Sequence, residues 1–117
     1  MYLVLIRYTR PIDEVDAVRP AHRAFLQAQY RAGLLVCSGP RIDRTGGVLL
    51  ARSGDRRAVE AMCAADPYAL AGVALHDVIE FHCLSHADGF APFLTAASSD
   101  EGTGNRAQGT GLVPSTP

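Results

Sequence analysis

The pattern that most constrains this chain is an alternation of short β-prone stretches with two longer helical ones. Residues 2–9 (YLVLIRYT) are almost wholly apolar, as a central strand is, and Pro11 closes them. Residues 12–18 read as a connector with at most one helical turn. A helix is expected from about Pro20, since proline suits a first helical position, to Ala32, where Gly33 can terminate it. Residues 34–38 (LLVCS) form a second strand ended by Gly39-Pro40, and Thr45-Gly46-Gly47 marks a turn before a third strand over 47–53. Asp55 opens a second helix running to about Asp66, with Ala58, Val59, Met62 and Cys63 at helical spacing. Pro67 interrupts it, a short turn or helix follows over 67–71, and residues 75–84 (LHDVIEFHCL) make a fourth strand.

The order is β-α-β-β-α-β. It predicts an α+β domain of the ferredoxin-like, split βαβ kind, with an antiparallel sheet and both helices on one face. Along the fourth strand Leu75, Ile79, Phe81 and Cys83 share one side, while Val78 and Leu84 share the other. Both faces of the sheet therefore carry apolar side chains. An uncovered apolar face on so small a domain predicts a homodimer with two sheets facing each other. The domain is expected to span residues 1–97, with Phe90, Phe93 and Leu94 lying across a neighbour. Residues 98–117 turn to Gly, Ser, Thr and Pro and read as a disordered tail.

Composition narrows the function classes. Hydrophobic residues make up 48% of the chain and charged residues 20%, enough for one real core in 117 residues. A net charge of −1 argues against a general nucleic-acid binder, which shows a basic stripe. No apolar run approaches the ~20 residues that cross a bilayer, and the short apolar N-terminus reads as a strand rather than a signal peptide. Cys37, Cys63 and Cys83 are odd in number and far apart, which fits buried, reduced thiols in the cytosol. There is no P-loop and no dinucleotide fingerprint, and Ser38-Gly39-Pro40 is not a nucleophile elbow.

The topology brings separate segments to one rim. Each helix runs back along the strand before it, and the two central strands are antiparallel. The start of the first helix (His22) and the end of the second (Asp66) therefore meet, joined by Ser38, Gly39 and Pro40 and by His76. His22 lies in a stripe with Phe25 and Leu26 that faces the sheet. An imidazole oriented by a carboxylate is a general acid/base pair. The simpler readings stand beside it: His22 as a packed histidine, and Asp66-Pro67 as the N-cap and first residue of the next helix. Arg19 and Arg41 flank the rim, where they could hold an anion or only be solvated. Tyr68 suits an acid or a pocket wall. His76, His82 and His86 share strand parity, but alternate strand residues lie ~7 Å apart, too far for a compact metal site.

Three segments carry a family resemblance: Arg19-Pro20-Ala21-His22; Gly33-Leu34-Leu35 with Ser38-Gly39-Pro40; and Ala65-Asp66-Pro67-Tyr68 with Ala71-Gly72-Val73. In order and spacing, over about residues 1–83, the chain resembles the YCII-related proteins. The resemblance implies a ferredoxin-like fold, dimers of the dimeric α/β barrel type, and a catalytic His/Asp pair falling on His22 and Asp66. Arg19, Ser38, Gly39, Pro40, Tyr68 and His76 would then bind substrate, with no cofactor or metal implied. One branch of the family is similar to muconolactone isomerase and includes a dehydrochlorinase acting on a chlorinated hydroxyquinol. Isomerase- or lyase-like acid/base chemistry on a small cyclic or aromatic molecule is thus the expectation. A non-catalytic ligand-binding dimer and a cofactor-free oxygenase are the alternatives.

Overall fold

The computed structural model describes residues 1–52 and 54–94. Strand β1 (Tyr2–Tyr8) is followed by helix α1 (Ile12–Arg31), strands β2 (Leu35–Pro40) and β3 (Gly46–Ala51), helices α2 (Arg56–Ala65) and α3 (Pro67–Leu70), and strand β4 (Ala74–Glu80). The strands form one antiparallel sheet in the order β2-β3-β1-β4, with β1 and β3 central. This is the ferredoxin-like arrangement.

Strand parity decides what is buried. Tyr2, Val4 and Ile6 alternate onto the helix side, where Leu49 and Ala51 of β3 join them. Val15 and Leu26 of α1, Val59, Met62 and Cys63 of α2, and Tyr68 of α3 close that core. Each fully buried aliphatic side chain contributes about 2 kcal/mol. On the other side Leu5, Leu75 (54% exposed), Ile79 (42%) and Phe81 leave an uncovered apolar face. Close approach of the central strands depends on Gly46: a Cβ there would meet the Ile6 carbonyl oxygen at 1.8 Å.

Several boundaries differ from the sequence reading. Helix α1 begins at Ile12, so Pro20 lies inside it. An internal proline costs about 3 kcal/mol. Burial of Val15 offsets most of that, and the Arg10–Glu14 and Arg19–Asp16 ion pairs add to the same turns. The helix still stops where expected, with Gly33 at φ 80° and Leu34 N–H donating to the Gln29 carbonyl. Strand β4 ends at Glu80, short of 84. Its ladder with β1 ends at the Tyr2–Glu80 pair, although Phe81 and Met1 still exchange backbone hydrogen bonds. Strand β2 runs on through Ser38, Gly39 and Pro40, pairing them with Leu49, Val48 and Gly47 after an irregularity between Leu35 and Cys37.

After β4 the chain turns back over a short 3₁₀ turn at Ala91–Phe93. The Arg52 guanidinium donates to the Pro92 carbonyl at 2.6 Å and lies over the Phe93 ring. The Gly/Ser/Thr/Pro tail over 98–117 lies outside the described residues, as does the domain boundary at residue 97. No helix among the described residues is long and apolar enough to cross a membrane.

Candidate active site

Asp66 occupies the junction of α2 and α3, C-cap of one and N-cap of the other. Its Oδ1 accepts from the Tyr68 backbone N–H at 2.9 Å, the capping bond that Asp-Pro predicts. The same oxygen accepts from His22 Nδ1 at 2.7 Å, and Oδ2 accepts from His76 Nε2 at 2.8 Å. The carboxylate is only 1% exposed. Burial alone would raise its pKa; the bonds from His22, His76 and the Tyr68 N–H outweigh that and hold it at about 2. An ionised carboxylate can only accept, so His22 must carry its proton on Nδ1. In the neutral ring, Nε2 then keeps the lone pair.

His22 stands in the middle of α1 rather than at its start, because the helix begins at Ile12. It still reaches Asp66, because α1 packs across α3. Its ring stacks on Tyr68, with centroids 3.8 Å apart and planes 9° from parallel. The ring orientation is thus set twice, by Asp66 and by the stack. Tyr8 meets Tyr68 edge-on from the end of β1. Burial, with the Tyr8 hydroxyl nearby, pushes the Tyr68 phenol up to about 12, so it stays a proton donor.

A cavity of about 190 Å³ opens beside this cluster. His22, Arg19, Ser38, Gly39, Pro40 and Tyr68 all line it, as does Tyr8. Two expected site residues do not: Asp66 sits behind His22, and His76 holds the far oxygen of Asp66. The start of β4 reaches the same rim, which is why the sequence places His76 among the pocket walls. Its even-numbered side chain instead turns under the helices with Ala74 and Val78, which takes it to the carboxylate. His82 and His86 do not join it; His86 bonds the Ala87 carbonyl and packs near Phe90. Arg41 lies off the cavity and pairs with Asp43.

Sequence reasoning missed Tyr8 and Arg23 in the lining, and Tyr30, whose hydroxyl bonds Ser38 Oγ at 2.5 Å. Signals for two of them were present. Arg23 follows Arg19 at i+4, on the cavity stripe of α1, and Tyr8 shares the parity of Tyr2, Val4 and Ile6.

Nothing among the curated proteins matches this chain. Solved structures do. One is 5-chloro-2-hydroxyhydroquinone dehydrochlorinase from Burkholderia phenoliruptrix, in complex with 2,5-dihydroxybenzoquinone. It is 22% identical, with a TM-score of 0.59, over 69% of this chain and 93% of that one. At that identity the likeness speaks for the fold. A scan against protein families matches residues 1–82 to the YCII-related domain, a span that takes in the whole sheet, the buried His22–Asp66–His76 cluster and every residue of the cavity wall. On that match the chain belongs to the YCII-related family.

Proposed function

We propose that this chain is an acid/base enzyme acting on a small cyclic or aromatic molecule, with His22 Nε2 moving the proton and Asp66 orienting the ring. The observation that carries the reading is the ionised, buried Asp66 bound to His22 Nδ1, which leaves the other ring nitrogen to the cavity side. His22 would remove a proton from carbon next to a carbonyl, and the C–H electron pair would pass to the carbonyl oxygen as an enolate. Returning the proton at another carbon completes an isomerisation. Collapse of the enolate with loss of a leaving group completes an elimination. In both, Asp66 stabilises the imidazolium that forms. Such proton transfer asks for no metal or organic cofactor. Arg19, Ser38, Gly39, Pro40 and Tyr68 would hold the substrate. The activity in the name of the structural neighbour, a dehydrochlorinase, is of the elimination kind.

The Tyr68 N–H bond to Asp66 supports a second reading, in which the carboxylate only caps α3 and the cavity only binds. His22→Asn separates the two: the Asn amide keeps a donor for Asp66 and removes Nε2. With chlorinated hydroxyhydroquinones and related cyclic enones as probes, halide release or solvent-deuterium uptake should fall by roughly 100-fold or more in the variant. Unchanged turnover in a folded H22N protein would sink the enzymatic reading. A wild type that consumed oxygen with these probes would point to an oxygenase instead.

We read the working unit as a cytosolic homodimer. The uncovered face of Leu5, Leu75, Ile79 and Phe81 favours a second sheet upon it, and three free cysteines suit a reducing compartment. Sedimentation of the purified chain as a monomer would refute the dimer.

A further inference from the structure

The buried cluster holds one ionisable ring that the proposed chemistry does not use. His76 stands on β4 opposite Ile6 of β1, with its side chain only 5% exposed. It does not line the cavity. Its Nε2 donates to Asp66 Oδ2 at 2.8 Å, and no other described residue donates to that oxygen. A line of bonds therefore runs from β4 through the α2–α3 junction to α1, from His76 to Asp66 to His22.

The two rings are held through different nitrogens, His22 through Nδ1 and His76 through Nε2. An ionised carboxylate only accepts, so the neutral rings carry opposite tautomers. The stack on Tyr68 fixes the plane of the His22 ring but not its edge, because a half-turn about Cβ–Cγ keeps the plane and exchanges nitrogen for carbon along it. The bond to Asp66 Oδ1 decides the edge, and with it which atom faces the cavity. That oxygen is shared with the Tyr68 N–H. A carboxylate bonded at one oxygen can swing about it, whereas a donor on the second oxygen defines its plane. His76 supplies that donor from β4, an element separate from those that carry Asp66 and His22.

We propose that His76 is a positioning residue of the acid/base site: it fixes the Asp66 carboxylate and, through it, the edge and tautomer of His22. This deepens the acid/base reading and rests on it for the role of His22. His76 itself touches no substrate. Without its donor, the Asp66 carboxylate turns to spread the His22 and Tyr68 N–H bonds over both oxygens, and the imidazole loses its single orientation. A small misplacement of a base costs rate rather than binding.

Ring-nitrogen NMR of the full chain tests it without a substrate. At about pH 8.5, where ordinary imidazoles are neutral, the wild type should show His22 protonated on Nδ1 and His76 on Nε2. In His76→Leu the His22 nitrogens should report a mixture of tautomers, and His76→Gln, with an amide near the place of Nε2, should restore the single form. With the chlorinated hydroxyhydroquinone probes, H76L should lower kcat by roughly tenfold or more and leave KM within about twofold, with H76Q recovering most of the loss. A merely structural His76 would change stability and leave the tautomer and kcat of the folded variant alone. His76→Asn, polar but too short to reach Oδ2, replaces the leucine variant if that fails to fold. The same tautomer on both wild-type rings, a His22 still doubly protonated at that pH, a folded H76L or H76N with the wild-type tautomer, or an H76Q no better than H76L each overturns the proposal. The two readings fail separately. A tautomer lost in H76L and restored in H76Q, with no turnover by the wild type, would leave the positioning role standing and remove the enzymatic reading. Turnover abolished in His22→Asn, with H76L matching the wild type in tautomer and kcat, would do the reverse.

Discussion

Replacing Asp66 with Asn isolates what the buried carboxylate contributes to stability. The carboxyl is held at about 2 in the folded chain, from an ordinary value of 3.8. At ~1.4 kcal/mol per unit, that difference is worth about 2 kcal/mol. The direction follows from proton counting. As pH falls the unfolded chain binds this proton first, so the stabilisation is complete above about pH 5 and lost on the way down to about pH 2. Between about pH 5 and about pH 3 the single-site expression gives a loss of about 1 kcal/mol. The other groups facing Asp66 are the Cys63 thiol from α2 and the Tyr68 phenol from α3, and both are neutral there. Asn caps about as well as Asp, and its side-chain oxygen can still accept from the Tyr68 N–H. Urea unfolding at the two pH values, on wild type and D66N, measures the effect. Wild type should lose about 1 kcal/mol more than D66N over that interval. Parallel pH dependence in the two proteins would refute an ionised Asp66 held by its donors.

Two further expectations follow from the same cluster. His76→Leu strips from Asp66 Oδ2 its only donor among the described residues, so it should raise the Asp66 pKa and destabilise the fold by about 2 kcal/mol. His76→Gln places an amide donor near the position of Nε2 and should recover part of both losses; urea unfolding and a carboxyl-carbon NMR titration would read them, and equal behaviour of the two variants would exclude a role for that donor. Burial, aided by the nearby Asp66 charge, pushes the Cys63 thiol up to about 11, while Cys37 is exposed on β2. A disulfide reagent at about pH 8 should therefore label Cys37 quickly and Cys63 only at the rate of unfolding, by mass spectrometry of the digested protein. Equal labelling rates would contradict the packing of α2.

Much of this molecule is written in local chemistry. The period-2 and period-3.6 patterns, with Pro11, Gly33, Asp55 and Pro67 as punctuation, specify the element order, and that order with its short connections specifies the sheet. Asp66-Pro67 specifies a cap wherever it lies, so the approximate place of Asp66 needed no tertiary knowledge. Topology returns both helices to one rim, but His22 lies mid-helix and meets Asp66 because α1 packs across α3. Other features depended on packing that no local pattern contains. Pro20 marks a helix start by its own preference, and burial of Val15, with the ion pairs of the same turns, carries α1 back to Ile12. The pairing length of β4 depends on where β1 lies, not on the apolar character of residues 81–84. The role of His76 depends on which face of the sheet the Asp66 turn overhangs. The burial of Tyr68, which leaves its hydroxyl without a hydrogen-bond partner among the described residues, arises from elements closing on one another. Local sequence sets which groups are available and on which side of an element they stand; the distance between groups on different elements is a property of the packed chain, because it is settled by side-chain volume and burial summed over the whole core.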